Sequence, residues 1–199
     1  MTVTHDRFHQ GLTYDQYKAR MTRNRERLEA NEKNLQIAPE DLAAFHDLPQ
    51  PLNVLVLAED WCGDVINNLP ILGRLAQESG KLNVRIFPRD QNLDLMDQYL
   101  KEGKYRSIPA FVFFDQDFHE IGRFLERPDS VTRLWAERRQ QVYAQHPEFG
   151  SPESPISELP EDVRARLQQT MAAMYEETRP FANQEVIREL RQIVEKAAR

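Results

Sequence analysis

The chain has a single cysteine, Cys62, in 199 residues. One thiol excludes an intramolecular disulfide and the disulfide framework of small secreted domains. Glycine is also scarce, at seven residues. There is no glycine-rich phosphate loop and no serine-centred hydrolase elbow. No apolar run approaches the ~20 residues of a membrane span. The opening Met1-Thr2-Val3-Thr4-His5-Asp6 lacks the apolar stretch of a signal peptide. Nor is positive charge in excess. The net charge is −6, whereas a dedicated nucleic-acid binder needs a basic surface. Together these absences lead us to expect a soluble, cytoplasmic protein with no nucleic-acid or membrane partner. No cofactor and no metal are implied. His5 and His9 have a spacing that can place two ligands on one helix face. No third ligand accompanies them, so solvent-exposed histidines at a frayed terminus are expected.

What is present suffices for a core: 40% of the residues are hydrophobic, beside 29% charged. Leu12 to Leu35 reads as one long polar helix. Thr13 is its expected N-cap, with Gln16 three residues on. Tyr14, Met21, Leu28 and Leu35 recur every seven residues, joined by Tyr17. Such a thin stripe suits a helix lying across a domain, or one paired with a partner helix. Arg20, Arg23, Arg25 and Arg27 are interleaved with Glu26, Glu29 and Glu32. That pattern fits a solvated, ion-paired face better than an anion site. Pro39 to His46 suggests a short helix, and Leu48 to Pro51 a stiff lead-in.

Leu52 to Leu57 is a nearly continuous apolar run, as in a strand covered on both faces. Asp64 to Ser79 has a helical pattern ended near Gly80. Leu82 to Phe87 alternates like a strand, and Asn92 to Glu102 reads as a second helix. Ala110 to Phe114 is an apolar strand. Asp115-Gln116-Asp117 turns it back into Phe118 to Leu125. Asp129 to Gln145 is helical. A proline-punctuated connection follows, and then two helical patterns, Glu161 to Thr178 and Gln184 to Ala198, parted at Pro180. Each carries an apolar stripe, so each should dock on the core, on the N-terminal helix or on a second subunit.

Between the first strand and its helix lies Ala58-Glu59-Asp60-Trp61-Cys62-Gly63-Asp64-Val65. A thiol at the first turn of a helix sits where backbone N–H groups point outward, which favours the thiolate. Trp61-Cys62-Gly63 resembles the Trp-Cys-Gly-Pro-Cys site of thioredoxins. Pro70 stands where thioredoxins kink their active-site helix. Ser107-Ile108-Pro109-Ala110 resembles the segment that carries their cis proline. The resemblance covers roughly Leu52 to His146. It implies an α/β thioredoxin-like fold: a four-stranded mixed sheet in the order 2-1-3-4, with helices on both faces. The expected organisation is an N-terminal helical extension (1–50), the thioredoxin-like domain (51–146), and a linker with C-terminal helices (147–199) that pack on the domain or form a homodimer.

The chain departs from the thioredoxin pattern at three positions. Asp64 replaces the site proline, Val65 the resolving cysteine, and Val56 the buried aspartate. The resemblance therefore carries one nucleophile, Cys62, and no dithiol cycle. It implies thiol–disulfide exchange on a protein or low-molecular-weight disulfide, with an external thiol as reductant. A non-catalytic binding module on the same fold is the alternative, with Cys62 an inert residue. The resemblance also implies that Trp61, Gly63, Ile108 and Pro109 meet the substrate. Asp64 is either a helix cap or a general acid–base partner of Cys62. The helix terminus should lower the thiol pKa, whereas Asp64, Glu59 and Asp60 should raise it. Arg106 is a candidate to balance those carboxylates or to hold an anionic thiol.

Overall fold

In the computed structural model, which describes residues 3–197, the one helix expected over Leu12 to Leu35 is two, and a short helix precedes them. Met1 and Thr2 of the opening stretch, and Ala198 at the end of the last helical pattern, lie outside the described residues. Helix α1 (His5–His9) exposes its histidines and buries Phe8. Helix α2 (Tyr14–Arg20) starts with the Thr13–Gln16 capping box. Helix α3 (Arg25–Asn34) resumes the pattern after a break. The expected continuous helix fails because Asp60, far along the chain, takes the N–H groups of Thr22 and Arg23, at 2.7 and 3.0 Å. Asn24 then turns left-handed at φ 55°. The heptad stripe packs on this chain's own core: Tyr17, Leu28 and Leu35 are buried, with Tyr14 and Met21 against them. Helix α4 (Pro39–His46) follows.

Among the described residues, four strands make one sheet. They are β1 (Leu52–Ala58), β2 (Leu82–Pro88), β3 (Ala110–Phe114) and β4 (Glu120–Leu125), in the order β2-β1-β3-β4. That is the order implied by the thioredoxin resemblance. β1 pairs parallel with β2 and antiparallel with β3, and β3 antiparallel with β4. Every residue of β1 is buried, as a central strand requires. Val56, at the thioredoxin aspartate position, is fully buried. Asn53 is the polar residue of β1. It accepts from Asn83 and donates to the Asp115 carbonyl, so its amide costs little. The β3–β4 turn is built by Asp115, which accepts the N–H groups of Asp117 and His119. Phe118 sits at φ 62° and belongs to this turn, so β4 starts later than its composition suggests.

Helix α5 (Gly63–Ser79) links β1 to β2 and ends at Gly80, φ 64°. The glycine at Gly73 lets the Tyr14 ring lie against α5, since a Cβ there would be 2.7 Å from Tyr14 Cζ. The helix expected over 92–102 shrinks to α6 (Leu93–Met96) after one 3-10 turn. Beyond it, Gln98 and Tyr99 bond back only three residues, and Lys101 pairs with Tyr105. Helix α7 (Asp129–Gln145) has the expected bounds. The last helix, α8 (Glu161–Ala197), runs unbroken through Pro180, against expectation. Proline removes one N–H from a helix. Here the preceding turn is held by the Thr178 hydroxyl, which donates to the carbonyls of Met174 and Tyr175.

The described residues fall into two compact units, one within Met1–Arg127 and Val186–Arg199, the other Pro128–Glu185. The first holds the sheet. There Ile193 lies over Gly122 of β4, and Arg191 pairs with Asp41 at 3.5 Å. Val186, Ile187, Leu190 and Val194 complete its core. The second has a smaller core of Val142, Tyr143, Phe149 and Leu167. Trp135 is held in it by a hydrogen bond to Thr178 at 3.1 Å. No helix among the described residues is long and apolar enough to cross a membrane.

Candidate active site

The chain leaves the C-terminal end of the central strand β1, and Cys62 is the N-cap of α5 in extended backbone. Its carbonyl starts the helix by accepting from Ile66 N–H, and its own N–H bonds the Glu59 carbonyl. The thiol is half-buried and lies 3.5 Å from the Ile108 carbonyl, to which it donates. The Ile108–Pro109 peptide is cis, and both residues are buried. Gly63 is exposed, with open space where a Cβ would point. Trp61 is 45% exposed, and the Arg89 guanidinium stands 5.0 Å over its ring. Cys62, Gly63, Trp61, Ile108 and Pro109 therefore gather at one place, between the start of α5 and the start of β3.

The acidic residues divide their work. Glu59 accepts the Asp90 N–H at 2.8 Å. Asp60 accepts from Thr22 and Arg23, and its carbonyl accepts from the Asn24 amide at 2.9 Å. Neither acts on the thiol. Replacing Asp60 by alanine should unpin the 21–24 turn and lower stability by about 1–2 kcal/mol, as loss of a charged cap does. Urea unfolding measures this, and an unchanged midpoint would show that the turn holds without the carboxylate.

Asp64 caps nothing. It makes a two-pronged ion pair with Arg127, at 3.0 and 2.7 Å. Arg127 also meets Glu126, and Lys101 meets Glu126 from the other side, each at 2.7 Å. Glu126 in turn gives its N–H to the Pro109 carbonyl at 2.7 Å. A row of alternating charges thus ties the helix start to the proline loop. Burial pushes the Asp64 carboxyl up to about 6, against the pull of Arg127.

The thiol itself is raised above its ordinary value. Burial is the main cause, and Asp64 adds to it. The Val65 and Asp64 N–H groups and Arg127 pull the other way without prevailing. The expected helix-terminus effect exists, but desolvation outweighs it. Val65, at the resolving position, is fully buried. Arg106 is not free to serve the site, because Asp97 holds it through two bonds at 2.7 and 2.9 Å. Sequence reasoning missed Arg127, Glu126, Lys101 and Arg89. Arg89, Glu126 and Arg127 are ordinary charged residues just past strand ends and Lys101 lies in the segment before β3, and no motif marks any of them.

A family model described as thioredoxin matches residues 11–141. The match begins in the N-terminal helices rather than at Leu52. No curated protein matches the chain. Among solved structures, a protein of unknown function from Pseudomonas aeruginosa aligns at 18% identity and a TM-score of 0.65. The alignment covers 96% of this chain and 95% of that one. An HIV epitope-scaffold aligns at 14% identity and a TM-score of 0.63, covering 94% of each. Likeness at such identity speaks for the fold alone. The family match spans well over half the sequence and contains the whole site around Cys62, so the chain belongs to the thioredoxin family.

Proposed function

We propose that the protein performs thiol–disulfide exchange with Cys62 as its one nucleophile. The Cys62 thiolate attacks a disulfide R–S–S–R′, forms Cys62–S–S–R and expels R′–S⁻. An external thiolate then attacks the R sulfur and releases the Cys62 thiolate. Two electrons pass between the substrates and none remains on the protein. A reducing compartment such as the cytoplasm supplies the external thiol. The disulfide substrate is a protein or a small molecule.

The observation that carries this reading is the place of the sulfur. It lies at the start of α5 against the Ile108 carbonyl and is half-buried beside the exposed Gly63, where the Val65 and Asp64 N–H groups favour its ionised form. The raised thiol fits a slow exchanger. A less acidic thiol yields less thiolate but a more nucleophilic one. The same raised thiol favours a second reading, a binding module that does not turn over.

One experiment separates the two. The protein is mixed with glutathione disulfide and intact mass is followed, with Cys62→Ser as control. We expect one glutathione adduct on the native chain, formed faster as pH rises past about 8.5, and removed by excess 2-mercaptoethanol. Cys62→Ser should take up none. A native chain that forms no adduct even at alkaline pH leaves the binding module.

A further inference from the structure

The two loops that meet at the sulfur are cross-tied on both sides. On one side stands the Asp64–Arg127 pair, with the Glu126 N–H on the Pro109 carbonyl. On the other stands Arg89, in the 3-10 turn after β2. Its guanidinium lies over the Trp61 ring at 5.0 Å. Nη1 of the same group donates to the Arg106 carbonyl at 3.2 Å. Trp61 directly precedes Cys62, and Arg106 stands two residues before Ile108. One side chain therefore spans the gap across which the thiol reaches the Ile108 carbonyl.

Arg89 is itself fixed. Its Nε and Nη2 meet the Asp90 carboxylate at 2.8 and 2.7 Å, and the Asp90 N–H goes to the Glu59 carboxylate. The far anchor is fixed too, because Asp97 holds the Arg106 side chain by two bonds. A planar guanidinium can donate along its edge while its face lies on an aromatic ring; an ammonium, a compact charge, does not reproduce that geometry.

The contact so held bears on the thiol. A hydrogen bond given by the neutral form of a group opposes its ionisation. The charges acting on the sulfur are those of Asp64 on α5 and Arg127 beyond β4, besides the Val65 and Asp64 N–H groups. Glu59 and Asp60 are engaged by the N–H groups of Asp90, Thr22 and Arg23, and Tyr17 on α2 is kept neutral, chiefly by burial.

We propose that Arg89 is a positioning residue for Cys62: by spanning Trp61 and the Arg106 carbonyl, it holds the Ile108 carbonyl on the thiol and restrains its attack. The inference rests on Cys62 as the exchanging sulfur and adds how its reactivity is set. To attack R–S–S–R′, the thiol gives its proton to solvent and loses its bond to Ile108. The sulfur's electron pair then forms the Cys62–S–S–R bond, and R′–S⁻ leaves with the pair of the broken bond. Arg89 acts through the placing of a carbonyl and not through its charge.

The test compares native protein with Arg89→Gln and Arg89→Lys. Alkylation of Cys62 by iodoacetamide is followed against pH. In Arg89→Gln we expect the midpoint to fall and alkylation at pH 7 to quicken about three- to tenfold, the scale of one neutral hydrogen bond. Loss of a positive charge alone would move the midpoint up, so the sign separates the two effects. Arg89→Lys keeps the charge without the fork and should also show the lower midpoint. Uptake from glutathione disulfide should quicken by a similar factor in both variants. In a Trp135→Phe background Trp61 is the one tryptophan, and its fluorescence anisotropy should drop when Arg89→Gln is added. A midpoint unchanged or raised in Arg89→Gln, a native midpoint in Arg89→Lys, or an unchanged Trp61 anisotropy overturns the proposal. Failure of native protein to take up glutathione overturns the exchange reading instead, and the midpoint comparison still decides the role of Arg89.

Discussion

Val65→Cys should turn this one-thiol site into a two-thiol site. Val65 lies on the first turn of α5, three residues after Cys62, and is fully buried. Side chains three apart at a helix start are neighbours, and Cα atoms at that separation lie within the ~4.4–6.8 Å a disulfide spans. Cysteine is smaller than valine, so the substitution costs about 1 kcal/mol of packing rather than creating a clash. After mild oxidation, intact mass should show no alkylatable thiol in Val65→Cys, whereas the native chain keeps one. The mixed disulfide on Cys62 should also be short-lived. An internal thiol acts at a high effective concentration, so release at low external thiol should accelerate at least about a hundredfold. A stable adduct on Val65→Cys would show that position 65 does not face the sulfur.

Asp64→Asn should make the protein more stable at neutral pH and its thiol more acidic. The Asp64 side chain keeps only 13% of its exposure, and its carboxyl is raised from 3.8 to about 6, with burial the leading cause. Such a carboxyl binds more protons in the folded chain than in the unfolded one between those two values. Its contribution therefore favours folding at low pH and is lost as pH rises from 3.8 to about 6. Above that, a penalty on the order of 3 kcal/mol remains. The asparagine carries no charge and escapes it, while Arg127 keeps Glu126 as a partner. Urea unfolding should show Asp64→Asn more stable than native protein by about 2–3 kcal/mol at pH 7, and nearly equal to it at pH 4. The Asp64 anion also raises Cys62, so the alkylation midpoint should fall in the same variant. Lower stability of Asp64→Asn at pH 7 would mean that the Arg127 pair outweighs the burial of its carboxylate, as removing one partner of a buried pair can.

Much of the architecture is local and was legible. β3 and α7 have the bounds their patterns suggest. A run such as Leu52 to Leu57 can hardly avoid the centre of a sheet, and the Thr13–Gln16 box marks a helix start wherever it falls. Trp61-Cys62-Gly63 and Ile108-Pro109 meet, with the Cys62 thiol on the Ile108 carbonyl 46 residues away, as the resemblance to thioredoxins implies.

What failed was of another kind. The break at 21–24 is made by Asp60, while α8 runs on through Pro180. Helix periodicity is blind to the first, because the deciding partner is distant in sequence, and proline's local cost is outweighed in the second. Asp64 looked like a cap because the residue that claims it, Arg127, is 63 positions away. The sequence by itself determined the position of the one thiol and the want of a second, while the sheet order followed from its resemblance to thioredoxins. Only the tertiary structure decided whether that thiol is acidic. The helix terminus is a local effect written in the chain, whereas desolvation depends on everything that folds over the sulfur, and here desolvation is the larger.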